Sequence, residues 1–103
     1  MKEEFVHIPV IKNEANHRFE LTVEGYTAFI DYREKGSNIT LIHTESPDEL
    51  AGRGVATALI EKALAYIEEN KYVLTPLCPL VFAYIKRHPD WKRIVSQDFK
   101  GFE

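Results

Sequence analysis

Residues 50–57 read Leu50-Ala51-Gly52-Arg53-Gly54-Val55-Ala56-Thr57, and this stretch lies between a predicted strand and a predicted helix. Its two glycines let the backbone pass close to a ligand, and the first N–H groups of the helix carry the positive end of the helix dipole. Such a turn binds phosphate oxygens without a lysine. It lacks the Lys-Ser/Thr pair of a P-loop and the spacing of a dinucleotide-binding G-x-G-x-x-G motif. Taken alone, the stretch leaves two interpretations open, a phosphate-binding turn and an ordinary loop.

The sequence before this stretch predicts an antiparallel sheet. Three segments have the alternating or β-branched pattern of strands: His17 to Val23, Tyr26 to Tyr32 and Ile39 to Thr44. Glu24-Gly25 is a two-residue hairpin connection, and Glu34-Lys35-Gly36-Ser37 is a second turn. We also expect an edge strand from Val6 to Ile11, because Pro9 is compatible only with an edge or a bulge.

The sequence after this stretch changes to helical periodicity. The apolar residues that lie four apart are Val55, Leu59, Ala63 and Ile67. They predict a helix of about four turns that ends at Asn70-Lys71. Tyr72 to Leu77 is expected to be a short buried strand beside Ile39 to Thr44, joined to it by a strand–helix–strand crossover. Pro79 in a first helical position predicts a short helix through Arg87, which His88-Pro89 ends.

Composition and charge limit the classes of function. With 103 residues, 45% hydrophobic and 28% charged, we expect one globular domain, residues 1–103. The net charge of −3 argues against a nucleic-acid partner. The short apolar runs predict no membrane partner and no signal peptide, so we expect a cytoplasmic location. The single cysteine, Cys78, excludes an internal disulfide and a multi-cysteine zinc site, and we expect no metal.

The charge is unevenly distributed along the chain. Residues 1–50 carry 5 Lys+Arg and 10 Asp+Glu, whereas residues 51–103 carry 8 and 6. Ordinary surface variation is one explanation, because charge asymmetry constrains partners only weakly. The other is a protein that presents one face to an anion and another to a cation, with acidic residues such as Glu45, Asp48 and Glu49 on the cation side.

The segment from Gly52 to Ile60 resembles the acetyl-CoA pyrophosphate loop of the GNAT superfamily of N-acyltransferases, whose pattern is Q/R-x-x-G-x-G/A. Gly54 and Ala56 match the last two positions of that pattern, whereas Ala51 stands where Gln or Arg is usual. The wider sequence looks like the minimal single-domain branch of the superfamily over about residues 17–93. The strings that carry this likeness are His43-Thr44-Glu45 through Arg53-Gly54, Pro76-Leu77-Cys78-Pro79 and Tyr84-Ile85-Lys86-Arg87-His88-Pro89.

The resemblance implies an α/β (α+β) fold with a mixed, mainly antiparallel sheet that is splayed between the third strand and the strand after the long helix. It also implies acetyl-CoA as co-substrate, with its pantetheine arm in the splay. The residues expected to contact the cofactor are Thr44, Ala51, Gly52, Arg53, Gly54, Val55, Ala56, Thr57, Pro79, Lys86 and Arg87. For Lys86 and Arg87 the alternative is a solvated helix end. The chain has no room for the two helices that normally follow the first strand of the family, so the acceptor side should be open.

Three residues are candidates for catalysis. His43 has the same parity as Ile39 and Leu41, so we expect it on the apolar side of its strand, either as a structural histidine or as the base that deprotonates an ammonium substrate. Tyr84 is either a core aromatic or, as the resemblance implies, the acid that protonates the departing CoA thiolate. Cys78 is either a small buried hydrophobe or a helix-capping thiol that takes or orients the acetyl group.

The sequence therefore predicts an acetyl-CoA-dependent N-acetyltransferase that acts on an amine, either a small molecule or a protein or peptide. Two alternatives remain, a CoA-binding module without turnover and an interaction protein on the same fold. The acceptor and the oligomeric state are not determined by the sequence.

Overall fold

The computed structural model describes residues 2–103, and Met1 of the predicted domain lies outside the described residues. The strands are β1 (Ile11–Asn13), β2 (Arg18–Val23), β3 (Tyr26–Lys35), β4 (Asn38–Glu45) and β5 (Val73–Pro76). The helices are α1 (Val55–Glu69) and α2 (Pro79–Arg87), with short 3₁₀ segments at Glu3–Phe5, Asp48–Leu50 and Pro89–Ile94.

The five strands form one sheet in the order β1-β2-β3-β4-β5. Neighbours pair antiparallel from β1 to β4, whereas β5 pairs parallel to β4 after the α1 crossover. The predicted mixed, mainly antiparallel sheet is therefore confirmed. The hairpin between β2 and β3 turns at Glu24 and Gly25, whose φ angles of 52° and 82° are both left-handed, as a two-residue turn that matches strand twist requires.

The predicted edge strand from Val6 to Ile11 is wrong in its boundaries. β1 begins at Ile11, where that prediction ended, and the chain before it forms a 3₁₀ turn and a bend. Phe5 explains the difference, because it is buried in the core and holds the first residues against the protein in a compact turn instead of along the sheet.

The core lies between the sheet and the helices. Alternate residues of β2, β3 and β4 face it, and they include Phe19, Leu21, Ile30, Ile39 and Leu41. α1 supplies an apolar stripe at the predicted positions, and α2 adds Val81, Tyr84 and Ile85. Complete burial of one such Leu or Ile side chain contributes about 1.5 to 3 kcal/mol.

Lys12 connects β1 to the rest of the sheet. Its side chain is 7% exposed, and its Nζ lies 2.5 Å from Glu34 Oε1 and 3.3 Å from Tyr72 Oη. Burial of the ammonium opposes its charge, but the hydrogen bonds to Glu34 and Tyr72 outweigh that effect and raise the pKa of Lys12. This contact joins β1, the end of β3 and the residue before β5.

The tail, which the sequence does not assign, packs against α2 and β5. Val95 forms a parallel bridge with Leu74, and Ser96 N donates to Leu74 O at 2.8 Å. The rings of Phe82 and Phe102 are stacked 4.6 Å apart, with Phe99 at the edge of both. Within residues 2–103, no helix is both long enough and apolar enough to cross a membrane.

Candidate functional site

The site is organised around the point where β4 and β5 separate. Pairing between them runs from Asn38 to Leu41 on β4, and Cys78 N still donates to Leu41 O at 2.8 Å. Beyond this point, residues 42–45 of β4 have no partner on the β5 side within the described chain. Because strand residues alternate the direction of their backbone groups, some N–H and C=O groups of residues 42–45 face the resulting gap.

A β-bulge at Ile42 changes which side chains face the core. Tyr32 pairs with Leu41 and Asp31 pairs with His43, so Ile42 is an extra residue on β4. Before the bulge the odd-numbered residues of β4 face the core, and after it the even-numbered residues do. Thr44 is 8% exposed and lies on the core side, whereas the His43 side chain is 57% exposed. The expectation that His43 points to the apolar side is therefore wrong, because that argument assumed an uninterrupted strand.

Thr44 and Cys78 meet at the gap. Cys78 is the N-cap residue of α2 and is 1% exposed, and Pro79 occupies the first helical position as predicted. The Thr44 hydroxyl and the Cys78 thiol are 3.1 Å apart and form a hydrogen bond in a buried setting. Two residues that the resemblance assigned to the site are thus brought together by the end of β4 and the start of α2.

The loop before α1 presents unpaired backbone donors. Within residues 2–103, no backbone acceptor takes the N–H groups of Gly52, Gly54, Val55, Ala56 or Thr57, and no side chain caps the helix. Gly52 and Gly54 have φ angles of 76° and 82°, in the left-handed region that favours glycine. The N–H groups of Ala51 and Arg53 are used internally, by Asp48 O and Leu50 O. The loop therefore carries five donors at the positive end of a helix dipole.

The Arg53 side chain is directed to acidic residues. Its Nη2 lies 2.8 Å from Glu24 Oε2 and 3.5 Å from Glu4 Oε1. The hydrogen bond to Glu24 raises the pKa of Arg53, and the charge of Glu4 adds to that effect. The charge of Arg53, the cationic residue of the loop, is therefore already partly neutralised by Glu24 and Glu4.

A cleft of about 560 Å³ begins beside this loop and runs between α1 and α2. Its walls include Thr57, Glu61, Tyr84, Arg87, His88 and Trp91. The Tyr84 ring lies 4.4 Å from the His88 ring. Burial raises the pKa of Tyr84, and the neighbouring Glu61 carboxylate raises it further, so the phenol is protonated at neutral pH and can act as a proton donor. Among residues 2–103, no side-chain hydrogen bond joins Tyr84 to Thr44 or Cys78.

The two basic residues at the end of α2 point in different directions. Arg87 lines the cleft, whereas Lys86 Nζ lies 5.6 Å from the centre of the Phe82 ring, in the aromatic cluster formed with the tail. Of the two residues predicted to contact CoA phosphates, only Arg87 lines the same cleft as Thr57.

His43 and Glu45 lie on the opposite surface of the sheet, which we call the open face. Its two rows of side chains are Arg18, Asp31 and His43, and Glu20, Phe29 and Glu45. His43 Nε2 is 3.7 Å from Glu45 Oε2, and the Arg18 guanidinium lies 3.9 Å from the centre of the Phe29 ring. A depression of about 210 Å³ beside this row is lined by Phe29, Glu45, Ser46 and Pro47 together with Thr27.

Sequence reasoning missed two residues at the site. Glu61 lies one turn after Thr57 on the exposed side of α1, so helical spacing could have placed it in the cleft. Lys2 gave no signal, because its contact with the loop joins residues more than fifty positions apart: a Cβ at Gly54 would lie 3.6 Å from Lys2 Cε. Among residues 2–103, no three His, Cys, Asp or Glu side chains are grouped to hold a metal ion.

Comparison with known proteins agrees with this geometry. The sequence profile described as GCN5-related N-acetyl-transferase matches residues 18–94, which is most of the chain. The chain belongs to this GCN5-related N-acetyltransferase family. A solved structure with a similar fold is the NMR structure of a GCN5-like protein from Staphylococcus aureus, itself assigned as an N-acetyltransferase only by inference. The two are 21% identical with a TM-score of 0.63, and the match covers 88% of this chain and 90% of the other. At that identity the second comparison shows the fold, which is the GNAT-like fold expected from the sequence.

Proposed function

We propose that this family member transfers an acetyl group from acetyl-CoA to a primary amine. The observation that carries the proposal is the set of five unpaired N–H groups at residues 52–57, next to a cleft and to a gap between β4 and β5. A pyrophosphate is a ligand that satisfies such donors, because each N–H can bond an anionic oxygen.

The donor is proposed to lie on the helical side of the sheet. Its pyrophosphate binds the loop, where Arg87 adds a positive charge across the cleft from Thr57. The pantetheine arm is an extended chain with two amides, so it can pair with the free backbone edge of residues 42–45 as an added strand would. Its thioester then reaches the gap where Thr44 and Cys78 meet.

The acceptor is proposed to approach from the open face. Glu45 supplies a carboxylate beside Phe29, and Asp48 and Glu49 follow it at the exposed rim. These groups suit an ammonium ion. His43 is exposed on the same face, and its imidazole is proposed to take a proton from that ammonium, directly or through water.

The proposed reaction balances as a direct transfer. His43 or a water takes one proton from the ammonium, and the free amine attacks the thioester carbonyl carbon. A C–N bond forms, the C–S bond breaks, and the nitrogen loses its second proton to solvent. Tyr84, which is held in the protonated form by burial and Glu61, supplies a proton to the CoA thiolate and is reprotonated from solvent.

The structure bears on the alternative route through Cys78. A covalent relay needs the thiolate to attack the thioester, but the thiol is 1% exposed and hydrogen-bonded to Thr44. Direct attack by the amine needs no such opening. We therefore place the direct route first and give Cys78 the role of packing against the donor's acetyl end.

Calorimetry with acetyl-CoA, followed by a free-thiol release assay over a panel of amines, tests the proposal. We expect binding of acetyl-CoA and release of CoA that depends on the amine. Binding without release would favour the CoA-binding module, and no binding would favour the interaction protein. A cytoplasmic location stays a prediction.

A further inference from the structure

We propose that the N-terminal segment, residues 2–8, completes the donor phosphate site and that Lys2 supplies the positive side chain that the loop lacks. The inference rests on the proposed function, since it concerns the same loop. It assigns a specificity role to a residue outside the part of the chain that matches the family profile, which begins at residue 18.

The first step is the charge inventory of the loop. Ala51 stands where the superfamily pattern has Gln or Arg, so one polar side chain is missing. Arg53 is paired with Glu24 and Glu4 and is turned away from an incoming anion. Residues 50–57 therefore offer backbone donors without a free cation. A doubly charged pyrophosphate is held less tightly by neutral donors than by donors combined with a positive charge.

The second step is the position of Lys2. Its stem lies over Gly54, with Cε and Cδ at 3.6 and 3.9 Å from the position a Cβ would take there. Gly54 is the N-cap residue of α1, and its N–H is one of the five unpaired donors. Among residues 2–103, no ion pair joins Lys2 to a carboxylate, and its stem reaches the N-cap residue of α1.

The third step is that the segment is held in place. Phe5 is 1% exposed in the core, Phe5 N donates to Lys2 O at 3.0 Å, and Lys62 Nζ on α1 donates to Val6 O at 3.3 Å. Glu4 also contacts Arg53. Because the backbone of Lys2 is fixed by its hydrogen bond to an anchored residue, its side chain loses less freedom when it binds a phosphate.

The test uses the untagged full chain, because a tag at the N-terminus would alter the segment. CoA affinity is measured by calorimetry at low and at high salt for wild type, Lys2→Gln, Lys2→Arg and Lys35→Gln. We expect Lys2→Gln to weaken CoA binding by about three- to tenfold at low salt, with a smaller effect at high salt, because an exposed charge is screened. Lys2→Arg should retain the affinity, and Lys35→Gln, an exposed change at the end of β3, should change it by less than about twofold.

Acetyl-pantetheine, which has no pyrophosphate, separates charge from structure. Its KM should be the same for wild type and Lys2→Gln, whereas the KM for acetyl-CoA should rise with kcat unchanged. Two results would overturn the role of Lys2 while leaving the proposed function standing. The first is that wild type and Lys2→Gln bind CoA with equal affinity at low salt. The second is that Lys2→Gln raises the KM for acetyl-pantetheine as much as the KM for acetyl-CoA. If wild type binds neither CoA nor acetyl-CoA, the proposed function itself is wrong.

Discussion

The two ends of the β4–β5 pair are built differently. At the closed end, β4 residues 38–41 pair with β5, Thr75 Oγ1 donates to Asn38 Oδ1 at 3.1 Å, and Lys12 joins Glu34 and Tyr72. At the open end, residues 42–45 lack a partner on the β5 side, and unpaired N–H groups lie in the loop that follows. Satisfied polar groups stabilise a fold, whereas unsatisfied donors at a gap are available to a ligand. We therefore expect stability to depend on the closed end and activity on the open end.

The largest effect is expected at Tyr84 in the cleft. Loss of a general acid typically costs about 10²-fold in rate or more, so Tyr84→Phe should lower kcat by about 10²-fold and leave acetyl-CoA affinity nearly unchanged. Steady-state kinetics and calorimetry measure the two quantities. The matched control is Tyr72→Phe at the closed end, which removes a hydroxyl that contacts Lys12 and Glu34. It should lower the unfolding midpoint without changing kcat. Full activity of Tyr84→Phe would show that water or Cys78 supplies the proton.

A smaller effect, on binding, is expected at Gly54. A Cβ there would meet only the Lys2 stem at ordinary contact distance, so the penalty comes from the φ of 82° and not from a clash. The left-handed conformation costs a non-glycine residue about 1 to 2 kcal/mol. In Gly54→Val, we expect the backbone to leave this conformation, which moves the N–H groups of the loop. The loss of one or two charge-assisted hydrogen bonds weakens acetyl-CoA binding more than about tenfold.

Gly36 provides the control for that variant. It has a φ of 59° in the turn between β3 and β4, at the closed end, with open space around it. Gly36→Val should lower the free energy of unfolding about as much as Gly54→Val does and leave the acetyl-CoA affinity unchanged. If a folded Gly54→Val protein binds acetyl-CoA as tightly as Gly36→Val, the loop is not the pyrophosphate site.

The sequence predicted local features better than features that depend on how strands pair, for physical reasons. Turn glycines and helical spacing are local, so the hairpin at Glu24-Gly25, the four turns of α1 and the Pro79 start of α2 were all predicted and are confirmed. The bulge at Ile42 was not. It is a property of strand pairing and leaves no mark in a six-residue segment, yet it exchanges the faces of His43 and Thr44.

Contacts between distant parts of the chain could not be predicted from the sequence either. Lys2 reaches Gly54, Glu61 faces Tyr84, and Phe99 and Phe102 pack on Phe82. Each of these depends on where complete elements dock, which periodicity does not specify. The candidate loop could be predicted because its signal lies within a few adjacent residues.

The third prediction concerns stability at the closed end. Lys12→Met keeps the apolar stem and removes the ammonium that Glu34 and Tyr72 contact. Since Glu34 is partly exposed and can be solvated, the loss should be about 1 to 2 kcal/mol of unfolding free energy, measured by urea denaturation at pH 7. Turnover of the folded variant should be unchanged. A loss of activity with full stability would reverse the assignment of the two ends.

A related effect appears in the pH dependence of stability. The hydrogen bond from Lys12 holds the pKa of Glu34 below its ordinary value. A carboxylate with a lowered folded-state pKa stabilises the fold above its unfolded pKa, and that contribution is lost as the pH falls through the folded value. Wild type should therefore lose more stability between pH 7 and pH 3 than Lys12→Met, in which the interaction is already absent. Lys35→Met, an exposed change next to Glu34 on β3, should lose as much stability over this pH range as wild type. Parallel losses in wild type and Lys12→Met would contradict the pairing.

The smallest effect on turnover is expected at Cys78, although it lies at the centre of the open end. Cys78→Ser retains a hydrogen-bonding partner for Thr44 and removes the nucleophilic sulfur. Because direct attack by the amine does not use the thiol, kcat should change by less than about twofold, a difference that corresponds to well under 1 kcal/mol in the barrier. Intact-protein mass spectrometry after mixing with acetyl-CoA alone gives the complementary measurement, and no rapid acetyl adduct should form on the wild-type protein. An adduct that forms quickly, is discharged by amine and disappears in Cys78→Ser would instead establish the relay, and it would mean that the buried thiol is exposed during turnover.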